Sequence, residues 1–176
     1  DEEALRASPV RFELVTVEKR GLRPRELTLE EIPRGQLADY LLASAACYPA
    51  MPARNIDGVE YLDGGYFNNM PTGLAARLGA KELVCVDLEG LGITRPNRTG
   101  LPTTTIRSHW ELGEILRFDP AVARRNMELG YYDTMRAFGR VRGDAYPVAL
   151  PGSGQAAAEF RARFDPLQEA VKARWP

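Results

Sequence analysis

Residues Val59–Pro71 read "VEYLDGGYFNNMP": a short strand pattern, an acid, two glycines and an amide-rich loop. Asp57-Gly58 lies just before them, between "ARNI" and "VEYL", and Asp-Gly between two short apolar runs is a strong two-residue hairpin turn. The second arm of that hairpin therefore delivers Asp63. Beyond the loop, Asn69 is placed to cap a helix that begins near Pro71 and ends at Gly79. "KELVCVDLEG", Lys81–Gly90, then reads as a continuous apolar strand covered on both faces. Strand, loop, helix and apolar strand in that order predict a parallel crossover unit in an α/β sheet.

Upstream, Val10–Lys19, "VRFELVTVEK", is rich in β-branched residues and reads as a largely buried strand. Arg25–Ile32 reads as a shorter strand after a turn at Gly21–Pro24. From Gly35 the apolar spacing changes to threes and fours, through Leu37, Tyr40, Leu41, Ser44 and Ala45, which predicts an amphipathic helix ending by Pro49. Downstream, residues Gly90–Thr105 are rich in Gly, Pro, Thr and Asn and read as a long surface loop. "FDPAVARRN" opens a helix with Asp119 as cap and Pro120 in the first turn, running to Gly139. The stretch from Gln155 is helical in pattern and interrupted at Asp165-Pro166. The chain reads as a single domain over residues 1–176, with no internal repeat.

At 176 residues with a formal net charge of -1, the chain can bury a core, and its charge balance suggests neither a nucleic-acid binder nor an acidic tail. Its basic residues are almost all arginine, with Lys19, Lys81 and Lys172 the exceptions. Codon usage in a GC-rich gene is the plain reading of that bias, and anion recognition the functional one. Arg124, Arg125, Arg136, Arg140 and Arg142 read as a solvated helix face, with peripheral contact to anionic lipid headgroups as the rival reading. Cys47 and Cys85 sit in apolar surroundings without metal-ligand spacing, so they read as core thiols in a reducing, cytoplasmic compartment.

His109 is the only histidine, so a Ser-His-Asp triad would have to use it; in "IRSHWELG" it reads as a surface or packing residue. One histidine, two isolated thiols and no clustered acids do not supply a metal site, and no cofactor is expected. "GLGITRPNRTG" has glycines for a phosphate loop but lacks the Lys-Ser/Thr ending and the following helix. No G-x-S-x-G occurs; "PGSGQ" at Pro151–Gln155 has glycines at other offsets, and Ser44 in "LASAA" reads as a helical hydroxyl bonded to a carbonyl. Asp63 remains, either as a turn residue or as a proton acceptor.

The ordered set Leu37–Leu88, "LADYLLASAACYPAMPARNIDGVEYLDGGYFNNMPTGLAARLGAKELVCVDL", resembles the C-terminal half of the patatin-like phospholipase domain. The matching pieces are the "ASAA..P" helix end, the "IDG" hairpin, the "DGG...N.P" loop and "A...GA" before an apolar strand. The flanking "LRASPVRFELVTV" and "LGEILRFDPAVARRNMELGYYDTMRAFG" resemble bacterial members, so the resemblance extends over roughly Leu5–Tyr146. It implies a three-layer α/β fold with a central, mostly parallel sheet, present here as its C-terminal part. It also implies a Ser-Asp dyad that hydrolyses lipid or other acyl esters, in which Asp63 is the general base, with Gly64, Gly65 and Asn69 positioning its loop. The dyad uses no histidine.

The nucleophile serine and the glycine-rich oxyanion loop of such an enzyme belong upstream of the residues that match. The expectation is therefore an acid-bearing piece of a lipid acyl hydrolase, inactive alone, whose partner is its own N-terminal segment or a second copy. The opening "DEEALRASP", without a methionine, fits a processed start or a piece of something longer. The rival reading is a non-catalytic module that keeps the fold as a binding or assembly surface. A nucleotide-binding domain would need a glycine fingerprint between strand and helix, and none occurs.

Overall fold

The computed structural model describes residues 1–143, 148–149 and 155–174. Its contacts divide the chain into two compact units, one of Asp1–Leu83 with Gly90–Pro102, the other of Val84–Glu89 with Thr103–Pro176.

The first unit is built on a four-stranded antiparallel sheet in the order β2-β1-β4-β3, with β1 at Glu13–Glu18, β2 at Arg23–Thr28, β3 at Arg54–Ile56 and β4 at Val59–Asp63. β1 is central, and its residues Leu14, Val15, Thr16 and Val17 are all buried, so both of its faces are covered. Helix α1, Glu2–Arg6, precedes the sheet, and α2, Leu37–Ser44, packs on β1, β3 and β4. One core cluster joins Leu14, Leu27, Leu29, Ile32 and Leu37; a second joins Ala43, Ile56 and Tyr61, and Tyr40 packs against both. The predicted hairpin is present: Asp57 and Gly58 both adopt positive φ, 51° and 84°, the geometry that matches the twist of two-residue hairpins.

Three local expectations change. The strand predicted over Arg25–Ile32 begins earlier and stops at Thr28, because the Glu31 carboxylate accepts from the Thr28 N–H and hydroxyl and turns Leu29–Glu31 into a short 3₁₀ helix. Helix α3, Thr72–Arg77, is preceded by Pro71 rather than capped by Asn69, whose side chain is engaged elsewhere. Between β4 and α3 the chain makes a 3₁₀ turn, Gly64–Tyr66. Among the described residues a parallel crossover from β4 through α3 is not formed, since β4 lies between two antiparallel neighbours.

β5, Leu83–Asp87, which belongs to the second unit from Val84 on, pairs with β6, Thr103–Arg107, in a parallel two-stranded sheet. Parallel pairing among the described residues is confined to these two strands, and the wider mostly parallel sheet is not assembled there. Cys85 is buried while Val84 and Val86 are 54% and 58% exposed, so β5 is covered on one face, not on both as its apolar run suggests. Helix α4, Pro120–Ala137, packs on β6; Asp119 caps it by accepting from the Ala121 and Val122 N–H groups, as its sequence predicts. Strands β7, Val141–Arg142, and β8, Val148–Ala149, form a short antiparallel pair. Helix α5, Gln155–Lys172, runs through Pro166 without the expected interruption. A proline removes one intrahelical donor, which here does not end the helix; the neighbouring Asp165 carboxylate is held by Arg142.

Candidate active site

Asp63 is the last residue of β4 and lies opposite Thr16 of β1. Its own N–H donates to the Ala46 carbonyl, just beyond α2, at 3.0 Å. Strand pairing on one side and the helix end on the other thus fix the backbone of the acid. Past Asp63 the chain turns at once, and Asp63 Oδ1 accepts from the Gly65 N–H at 2.6 Å. This is the local side-chain-to-backbone bond that makes aspartate a turn residue. The second carboxylate oxygen accepts no hydrogen bond among the described residues. The side chain is half-buried. Turn-making and proton acceptance are therefore compatible: one oxygen orients the carboxylate and the other is left over.

Close approach of backbone requires the glycine at residue 64, and side chains crowd the one at residue 65. A Cβ on Gly64 would lie 2.9 Å from the Val15 carbonyl carbon and closer still to its oxygen. That same Val15 carbonyl accepts from the Ser44 hydroxyl at 2.7 Å. Ser44 thus does bond to a carbonyl, but across to β1 rather than within its own helix. A Cβ on Gly65 would crowd the Asn69 amide oxygen and lie 3.0 Å from Asp63 Oδ1.

The loop is closed by the stretch with too few phosphate-loop features. Ile93 N–H donates to the Gly65 carbonyl at 2.8 Å, and Asn69 N–H donates to the Ile93 carbonyl at 2.7 Å. Asn69 Nδ2 donates to the carbonyls of Gly90 and Leu91, at 3.2 and 3.4 Å. Arg95 N–H donates to Asn68 Oδ1, its Nε to the Phe67 carbonyl, and its guanidinium lies 4.5 Å from the Phe67 ring centre. Of the sequence candidates, then, Asp63, Gly64, Gly65 and Asn69 come together. Thr16, Gly92, Ile93 and Arg95 were not legible as members of the site. The contacts of Ile93 and of the Thr16 strand are made largely through backbone, which leaves little mark on sequence.

The remaining candidates belong to the second unit. His109 is exposed on the bend after β6 and is not without a partner. Residues 151–154 of "PGSGQ" lie outside the described residues. Of the five arginines read as one basic face, Arg125 donates to the Glu111 carbonyl, Arg136 pairs with Asp133 and Arg142 with Asp165. Among the described residues no group of three or more His, Cys, Asp or Glu side chains could hold a metal ion, and no helix is long and apolar enough to cross a membrane. Both cysteines are free thiols.

The family model described as patatin-like phospholipase matches residues 5–76 of the chain. The matched span contains the whole antiparallel sheet, α2, Asp63, both glycines and Asn69. It supports a lipid hydrolase in general terms. It stops within α3, short of the resemblance read through Tyr146. A search of curated proteins finds no match to the chain.

Proposed function

We propose that these residues are the acid-bearing part of a patatin-like lipid acyl hydrolase, in which Asp63 is the general base of a Ser-Asp dyad. The nucleophile serine, in a G-x-S-x-G motif that does not occur in these 176 residues, and the glycine-rich oxyanion loop come from another segment. The observation that carries this reading is the Asp63 carboxylate itself, held at a strand end with one oxygen tied to the Gly65 N–H and the other left without a partner among the described residues.

In the reaction, Asp63 accepts the proton of the serine hydroxyl as its oxygen attacks the ester carbonyl carbon. The tetrahedral oxyanion collapses, the alcohol leaves with a proton returned from Asp63, and an acyl-serine remains. Asp63 then takes a proton from water, whose oxygen attacks the acyl carbonyl, and returns that proton to the serine oxygen as the acyl–serine bond breaks and the fatty acid is released. A carboxylate is a weak base toward a serine hydroxyl. A short hydrogen bond to the serine and exclusion of water in the assembled site would make the transfer effective. The partners of this reading are an ester lipid, the nucleophile-bearing segment (or a second copy), and peripheral contact with a membrane surface.

The test is hydrolysis of a short-chain nitrophenyl ester and of phospholipid micelles, by the chain alone and by the chain joined to a G-x-S-x-G-bearing segment of its gene. Activity only in the joined form, lost on Asp63→Asn, supports the proposal. Activity of the joined form that survives Asp63→Asn returns Asp63 to a turn residue.

A further inference from the structure

We infer that residues Gly90–Arg95 form a strap that positions the Asp63 loop, with Gly92 as the residue on which its fit depends. This rests on the reading of Asp63 as the catalytic base, and it assigns a role to a stretch that the sequence presents as plain surface loop.

The strap grips the loop from three directions. Its backbone exchanges two hydrogen bonds with the loop, Ile93 N–H to Gly65 and Asn69 N–H to Ile93, at 2.8 and 2.7 Å. Gly65 is also the residue whose N–H orients the Asp63 carboxylate, so both polar groups of one peptide-bearing residue are fixed, the N–H by the acid and the carbonyl by the strap. The Asn69 side chain, which no longer serves as a helix cap, reaches back to the Gly90 and Leu91 carbonyls. At the far end, Arg95 lies over the Phe67 ring and donates to the Phe67 carbonyl.

Gly92 is where strap and loop come closest. Its φ is +136°, a conformation that side chains rarely adopt. A Cβ there would lie 2.7 Å from the Gly65 carbonyl oxygen and 2.9 Å from both polar atoms of the Asn69 amide. The Gly65 oxygen is backbone and cannot swing away. A side chain at residue 92 therefore pushes the strap off the loop and frees the Gly65 peptide that holds Asp63. Strands β1 and β4, which pair through their own ladder, are untouched. Gly92 does not contact the reacting atoms; it acts through Gly65 and is a positioning residue.

The experiment compares Gly92→Ala with wild type and with Gly73→Ala, whose added methyl meets only the tip of Arg77 at ordinary distance. Two readouts are taken: steady-state ester hydrolysis by the chain joined to its nucleophile segment, and amide hydrogen exchange of the same protein. For Gly92→Ala the expected result is a fall in kcat of about 10²-fold with little change in KM, as for a misplaced catalytic group. Exchange should rise in the peptides that cover residues 65–69 and 90–95 and stay at wild-type level in β1 and β2. Gly73→Ala should match wild type in both. Wild-type kcat in Gly92→Ala, or unchanged exchange over 65–69, overturns the strap. Should Asp63→Asn prove as active as wild type, the dyad reading fails on its own, and exchange alone then decides whether the strap holds the loop. Where Gly92→Ala does not fold, Arg95→Ala carries the same test: this exposed side chain holds only the far end of the strap, so a several-fold loss of kcat with raised exchange supports it, and wild-type values in both overturn it.

Discussion

Thr16 and Asp63 stand opposite each other in the β1–β4 ladder, and the fully buried Thr16 hydroxyl donates to the Leu62 carbonyl, one residue before the acid, at 2.6 Å. A side chain in the central strand thus reinforces the backbone that presents Asp63. Thr16→Val keeps the shape and removes that bond. It should lower stability by about 1 kcal/mol, read as a shift in the urea midpoint at unchanged slope, with exchange rising first at the end of β4.

Asp63→Asn separates the two roles of the carboxylate. The amide oxygen can still accept from the Gly65 N–H, so the turn and the circular dichroism spectrum should be retained. The amide cannot take the serine proton, and kcat in the joined enzyme should fall by about 10²–10⁴-fold.

Gly64→Ala tests packing rather than chemistry. Its methyl would enter the space of the Val15 carbonyl, a backbone group in the most buried strand. The expected cost is about 1–3 kcal/mol, measured by chemical denaturation, and larger than for alanine at the exposed Gly73.

Acid should weaken the second unit through Asp87. The Arg107 side chain, and then the Glu89 N–H, hold the Asp87 carboxyl below the usual aspartate range. A folded pKa below the unfolded one means that the ionised form favours folding. Its contribution is complete above the unfolded value of about 3.9 and is lost as pH falls through the lower folded value. Asp165, held by Arg142, shifts in the same direction. Arg107→Ala should therefore flatten, but not abolish, the loss of stability between about pH 4 and pH 2. An acid limb as steep as that of wild type would count against the Asp87 contribution.

The outer face of β5 should make the chain self-associate. Val84 and Val86 project from a strand whose other side is buried, and exposed Leu88 just past its end adds to the apolar surface. Val84→Thr with Val86→Thr should reduce the concentration dependence of the sedimentation coefficient, and joining the nucleophile-bearing segment should do the same for the unmodified chain.

The sequence by itself determined the pieces whose causes are local. Asp57-Gly58 specifies the hairpin because few residues other than glycine and its close competitors accept two consecutive positive φ angles. Asp119-Pro120 specifies the start of α4 because the cap bonds lie within three residues. The order of motifs around Asp63 was also enough to mark the acid and its two glycines as one unit. Tertiary structure decided everything that depends on which strand lies beside which. "LVCVDL" carries apolar residues on both faces, and the face with Asp87 is the covered one, so only its neighbours could reveal which face is open. β4 could have entered a parallel unit with β5, and its antiparallel pairing with β1 instead is a long-range choice. Asn69 is a competent helix cap by residue type, and it was the carbonyls of Gly90 and Leu91, distant in sequence, that claimed its amide. The strap follows the same rule: on its own side the hydrogen bonds come mostly from the main chain, and the hydrogen-bonding groups of the main chain are the same at every residue but proline. On the strap itself, Gly92 by the side chain it lacks and Arg95 by its contact with Phe67 carry the trace of that grip in the sequence.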